Sequence, residues 1–171
     1  MSTPTKNAFI YENLIRDHVK GYDSVDPEDL NIERLVEKRI AAVGNLDWIG
    51  DENKPWDYDC DKSDAKTTTP WVYTAKNGKY TYTRYHGEIT SVGAKVGALR
   101  VVLYNPFIPK LEYFFIPNKD VEKLKYAEGG KRTGSYKICF NWNPKKNSYN
   151  KLDPYKCSSF EEMCKKRENK C

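Results

Sequence analysis

Asp64-Ala65-Lys66, with Asp57 and Asp59 a few residues upstream and an apolar strand just after, holds the residue types from which hydrolytic chemistry is built. Side chains alternate along a strand, so an acid, one spacer and a lysine place a carboxylate and an ammonium side by side on one face. A second carboxylate upstream can meet the first across a hairpin. Two carboxylates can hold Mg²⁺ through hard oxygen ligands, and the lysine can orient or deprotonate a water. Such a set suits hydrolysis of a phosphodiester. The alternative reading of the Asp64–Lys66 pair is an exposed salt bridge of little energetic weight.

Those side chains need a frame. Ala8–Lys20 reads as one helix. A second has Asp26 as N-cap, Pro27 in the first helical position, and Glu28 and Asp29 favouring its dipole. It runs through Leu30, Ile32, Leu35, Val36, Ile40 and Val43 until Gly44 stops it. Glu33 and Glu37 fall one turn apart on the edge of that apolar face. Carboxylates there cost free energy unless they meet a cation, with water, Arg34 or Lys38 as the ordinary recourse. Pro55–Lys66 reads as a strand, a turn at Asp61–Ser63, and a second strand through Thr69. Trp71–Ala75 and Tyr80–His86 flank Asn77-Gly78, a two-residue hairpin signal. Val96–Tyr104 and Leu111–Ile116 are the most apolar runs, joined by the turn-rich Asn105–Lys110. Asn118 can cap a short helix, Lys119–Tyr126. Ser135–Trp142 follows as a strand and Ser158–Lys166 as a terminal helix, with Ser159 and Glu162 at capping-box spacing. The order predicts an α/β (α+β) fold around a mixed sheet, in a single domain.

The 171 residues suffice for one domain with a real core, and 39% apolar with 31% charged residues is ordinary for a globular protein. No run of about 18 apolar residues exists and the first twenty residues lack a signal-peptide core, so an intracellular protein, cytoplasmic or nucleoid-associated, is expected, without membrane contact. Five cysteines with no Cys-x-x-Cys pair, and only two histidines, read as free thiols in a reducing compartment rather than a disulfide framework or a zinc site. The net charge of +5 favours nucleic acid. Its distribution says more: Lys and Arg concentrate in Lys119–Lys137, Lys145–Lys156 and Lys165–Lys170, while acids crowd Asp47–Asp64. A basic surface beside an acidic pocket is what a metal-dependent enzyme on a polyanion needs.

In this order, with those residues in those places, the chain resembles the PD-(D/E)XK nuclease superfamily, the fold of many restriction enzymes and some homing and repair endonucleases. Three features carry the resemblance. Glu33-x-x-Val36-x-x-x-Ile40-x-x-x-Gly44 looks like the family's leading helix, whose glutamate supports the metal site. Trp56-Asp57-Tyr58-Asp59…Asp64-Ala65-Lys66-Thr67 is similar to its acidic hairpin. Gly97–Pro106 and Leu111–Pro117, followed by Asp120–Leu124, look like its later strands and short helix. The resemblance covers roughly residues 28–142, leaving an N-terminal helix at 8–20 and a basic C-terminal extension at 143–171. Two departures stand out: Trp56 separates Pro55 from Asp57, and the interval from Asp57 to Asp64 is short. Asp57 and Asp59 therefore both remain open as the first metal ligand, with Asp57 leaving the better turn before Asp64.

The resemblance implies a restriction-endonuclease-like domain with a mixed central sheet flanked by helices, and a Mg²⁺-dependent endodeoxyribonuclease in which Mn²⁺ substitutes. In it Asp57, Asp64 and the Ala65 carbonyl bind the ion, and Lys66 positions or activates the attacking water. Glu33 acts through a metal-bound water, with Glu37 as fallback. Ala65 and Thr67 point to the opposite face, into the sheet. Arg84 and His86, ending a Thr/Tyr-rich strand, Lys95 before the third core strand, and Lys131 and Arg132 in a Gly-rich loop are the candidate DNA contacts. The implied partner is double-stranded DNA, with a homodimer as the route to double-strand cleavage. The rival readings are a non-catalytic basic nucleic-acid-binding module of the same fold, and a protein-interaction domain.

Overall fold

The computed structural model describes residues 3–18, 26–50, 54–128 and 134–168. In chain order they form α1 (Lys6–Ile10), α2 (Ile32–Gly44), β1 (Asp64–Thr68), β2 (Trp71–Asn77), β3 (Tyr80–Gly93), β4 (Leu99–Asn105), β5 (Lys110–Ile116), α3 (Asn118–Leu124), β6 (Tyr126–Ala127), β7 (Ser135–Trp142), β8 (Lys156–Cys157) and α4 (Phe160–Lys165). The class is mixed α/β, as the element order implies. The strands divide between two four-stranded sheets, β1-β4-β5-β8 and β2-β3-β7-β6. In the first, β1 runs parallel to β4 and the other pairs are antiparallel. The second is antiparallel throughout.

Burial explains why β4 reads as a continuous apolar run: every one of its residues is buried. A strand covered on both faces has no solvent face to pattern. Leu99, Val101 and Leu103 meet Ile89, Ile138 and Phe140 of the second sheet. Val102 and Tyr104 turn the other way, toward Ile10, Ile15, Val36, Ile40 and Met163. Helices thus cover one face of the first sheet and the second sheet covers its other face. The stretch 143–168 is built into this core, with Tyr149, Leu152, Cys157, Met163 and Cys164 all buried.

Several expected boundaries move, each for a local reason. The N-terminal helix is irregular: α1 passes into a π-turn at Tyr11–Ile15 and a 3-10 turn at Arg16–His18. Asp26 and Pro27 open only a 3-10 turn, Pro27–Asp29, and α2 starts at Ile32, where the Asn31 side chain accepts from Arg34 N. The hairpin loop is Gly78-Lys79, one residue later than expected, because Asn77 pairs with Tyr80 and Gly78 takes the positive φ of 63°. The segment before Asp64 is not a strand. Only Tyr58 bridges, to Trp48 and Ser63, and the chain turns sharply on either side of it. Asn118 is the first residue of α3, capped by Pro117 without a side-chain bond. Cys60 is disulfide-bonded, contrary to the expectation of free thiols throughout, whereas Cys139, Cys157 and Cys164 are free. Among the described residues no helix is long and apolar enough to cross a membrane.

Candidate active site

β1 is an edge strand of its sheet and packs against α2, and strand alternation sorts its side chains. Lys66 Nζ donates to the Ser91 carbonyl at 2.9 Å and Thr68 Oγ1 to the Glu88 carbonyl at 2.7 Å, so Asp64, Lys66 and Thr68 turn toward β3. Thr67 turns toward the helices, where its Oγ1 accepts from Lys6 Nζ at 3.1 Å. It does not disappear into the sheet: an edge strand leaves both of its flanks open, and Ala65 and Thr67 line the same cavity as Asp64 and Lys66. That cavity is open to solvent, about 350 Å³ in volume, and its opposite wall is α2 through Glu33, Val36 and Glu37.

Asp57 and Asp64 share a hydrogen bond on the β1 side of the cavity, and Asp57 also contacts Glu37. Asp57 Oδ2 accepts from Ala65 N at 2.8 Å, which fixes the loop against the start of β1. Asp64 Oδ2 is 3.0 Å from Lys66 Nζ, the expected same-face pair. Burial is the main reason that the Asp57 carboxyl is pushed up to about 6 and the Asp64 carboxyl to about 8. The hydrogen bond from Asp57 raises Asp64 further, and Lys66 offsets only part of this. Two adjacent, largely buried carboxyls repel one another when both ionise, so a proton or a cation between them is favoured, and Lys66 meets only part of that demand.

The structure separates residues that the sequence left as alternatives. Asp59 is exposed and accepts from Trp56 Nε1 at 3.1 Å, away from the cavity. Glu33 lines the cavity from an exposed position, whereas Glu37, one turn on, reaches Asp57. Arg84 lies far along β3, its guanidinium 4.8 Å from the Tyr82 ring centre. His86 belongs to a different group of side chains, with Nδ1 3.1 Å from Asn141 Oδ1 and Nε2 3.5 Å from Glu88 Oε1. Lys95 is exposed on the turn after β3 and does not line the cavity. Lys131 and Arg132 lie outside the described residues. Much of the basic surface is locally paired: Lys125 with Glu122, Lys137 with Glu88, Lys156 with Glu112, and Lys165 with Glu161.

Two contributors escaped the sequence reading. Lys6 brings a second cation to the cavity wall, and nothing in its local sequence marks it. Arg100 is fully buried beneath the site, with Nη2 2.6 Å from Asp61 Oδ2 and Nε donating to Ser63 Oγ at 3.1 Å. It also donates to the Met163 carbonyl at 2.7 Å, tying α4 to the turn that delivers Asp64. Gly97 completes the support. Its N donates to the Lys62 carbonyl at 2.7 Å, and a Cβ there would fall 2.5 Å from the Asp61 carbonyl oxygen.

The donor set suits a hard divalent cation. Asp57 and Asp64 are oxygen ligands that Lys66 only partly neutralises, Glu37 and Glu33 stand within the same cavity, and no thiol or imidazole competes among its lining residues. No known family model matches the chain, and no curated protein matches it.

Proposed function

We propose that this protein is a Mg²⁺-dependent endonuclease of the PD-(D/E)XK type, hydrolysing phosphodiester bonds of double-stranded DNA, with Mn²⁺ able to replace Mg²⁺. The observation that carries this reading is the meeting of Asp57, Asp64 and Lys66 on one wall of an open cavity, with Glu37 and Glu33 on the other. Asp57 and Asp64 would hold the ion, with the Ala65 carbonyl and Glu37 or Glu33 completing its surroundings. When bound, the ion supplies Lewis-acid polarisation of a phosphoryl oxygen.

The chain's own groups do the rest. An ammonium has three hydrogens, and Lys66 gives two of them to Asp64 and the Ser91 carbonyl. The third faces the cavity, where it orients the attacking water and offsets charge growing on the phosphoryl oxygens. Holding Lys66 from two sides keeps that donor in place before substrate arrives. Lys6, fixed through Thr67, adds positive charge at the rim for a second phosphate. Two copies acting on opposite strands as a homodimer would give double-strand breaks with 5′-phosphate and 3′-hydroxyl ends, in the cytoplasm or at the nucleoid.

The test is cleavage of supercoiled and linear plasmid DNA with Mg²⁺, Mn²⁺, Ca²⁺ or EDTA, wild type beside Asp64→Ala and Lys66→Ala. Cutting that requires Mg²⁺ or Mn²⁺ and vanishes in both variants, with DNA binding kept, is expected. Binding without any cutting, indifferent to metal, would replace the nuclease with a non-catalytic module.

A further inference from the structure

The register of β3 against β7 assembles a second group of metal-binding side chains, away from the acidic cavity. Gly87, Ile89, Ile138 and Phe140 face the core, so the intervening His86, Glu88, Cys139 and Asn141 turn to the outer face. Glu88 lies directly opposite Cys139, and His86 opposite Asn141. His86 Nε2 is 3.5 Å from Glu88 Oε1, and Cys139 Sγ is 3.7 Å from the same oxygen. All three ligand atoms lie within 4.8 Å of one another. A tetrahedral zinc with ordinary bond lengths separates its ligand atoms by about 3.3–3.8 Å. Two of the edges already have that length.

We propose that His86, Glu88 and Cys139 form a binding site for a borderline-soft divalent cation, with zinc as the best match. Thiolate and imidazole exclude Mg²⁺ as the natural occupant, and one carboxylate with one thiolate neutralises a dipositive ion. The outer groups are placed to support ligation. Asn141 Oδ1, 3.1 Å from Nδ1, can accept its hydrogen in the tautomer that leaves the Nε2 lone pair facing Glu88. The Tyr126 hydroxyl contacts Cys139 Sγ and can donate to the thiolate. The rings of Trp71 and Tyr73 stand edge-on to His86 at 5.1 and 6.2 Å, covering one side.

Lys137 Nζ, 3.3 Å from Glu88 Oε1, neutralises that carboxylate in the cation-free form and is free to swing to water when the ion enters. Binding converts the Cys139 thiol to a thiolate and releases its proton to solvent. The ion clamps β3 to β7 just before Thr90 and Ser91, which line the acidic cavity, and Ser91 is the residue whose carbonyl holds Lys66. Its role is therefore to stiffen the frame of that cavity, and its existence does not depend on the cavity's chemistry.

The test uses the full chain, with free thiols reduced and metal stripped. Zn²⁺ is titrated against a chromophoric chelator, Co²⁺ is added as a spectroscopic probe, and alkylation of Cys139 is followed by peptide mapping. Expected are about one zinc per chain, a thiolate-to-cobalt charge-transfer band, and zinc protection of Cys139. Cys139→Ser removes the band, Asn141→Ala weakens zinc binding about 10–100-fold, and Asp64→Ala leaves it unchanged. Lys137→Ala retains or strengthens binding. The proposal is overturned if the wild type takes up no zinc, if Cys139→Ser and His86→Gln bind as well as wild type, or if uptake disappears in Asp64→Ala.

Discussion

Arg100→Met is the perturbation that most directly tests how the site is held. Arg100 and Asp61 are both fully buried, 2.6 Å apart, and the guanidinium makes further bonds to Ser63 Oγ and to the Met163 and Cys164 carbonyls. Asp61 in turn accepts from Ser63 N at 3.1 Å, so the turn immediately before Asp64 is organised around this pair. Methionine keeps the apolar length of the side chain but leaves the Asp61 carboxylate buried without a cation. Breaking a buried pair from one side costs about 3–5 kcal/mol. In a domain of this size each kcal/mol moves the melting temperature about 2–4 °C, so a fall of roughly 6–20 °C is expected. The assay is urea and thermal unfolding of wild type, Arg100→Met, Asp61→Asn and the double variant. Adding Asp61→Asn to Arg100→Met should recover about half of the loss or more, since the stranded charge goes with it. A single-variant loss under about 1 kcal/mol, or losses that simply add, would refute the view that this pair organises the turn.

Three further outcomes follow from the same geometry. The Asp64 carboxyl is pushed up to about 8 in the folded chain, above its unfolded value, so its stabilising share is full below about pH 4 and disappears as pH rises through about 8. In the metal-free protein, Asp64→Asn should remove a loss on the order of a few kcal/mol across that window, each pKa unit being worth about 1.4 kcal/mol; parallel melting-versus-pH curves for the two proteins would count against it. Gly97→Ala must move the Asp61–Lys62 backbone and should destabilise by about 1–3 kcal/mol, measured by urea unfolding, with a neutral result showing that the turn yields freely. Lys6→Ala should weaken DNA binding and lower the salt slope by about 1 if Lys6 reaches a phosphate, and an unchanged slope would remove it from the interface.

What could be read from the chain follows the range of the forces involved. The α2 helix, the β4–β5 pair and the β2–β3 hairpin were legible because periodicity and turn chemistry act within a few residues. Their edges were not. Asp26 and Asn31 are both good caps, and only packing decides that Asn31 starts the helix. Strand alternation set Asp57 against Asp59, but the segment is a loop pinned by Tyr58, whose hydroxyl donates to the Glu37 carbonyl at 2.7 Å. That anchor to α2, rather than a pleat, brings Asp57 to the cavity and leaves Asp59 outside. The role of Arg100 could not be read from the chain because its partner, Asp61, lies 39 residues away. The His86–Glu88–Cys139 group was equally hidden: no local spacing announces ligands brought together by a register across 51 residues.

The acids of this region separate into kinds that sequence alone treats as one. The Asp61 side chain is fully buried, and it is met there by Arg100 and by Ser63. Asp57 and Asp64, on either side of it, are also buried from most solvent but face a cavity, where the cations at hand are Lys66, shared with a backbone carbonyl, and Lys6, held by Thr67. A fold that can bury a matched arginine under Asp61 could have placed one beside Asp64. Leaving the second pair only partly matched, by Lys66, lowers stability in the free chain, a cost that the proposed cation would relieve. The contrast between the matched and the partly matched carboxylates, within one turn and the strand it feeds, is the physical reason to treat the first as scaffold and the second as the site.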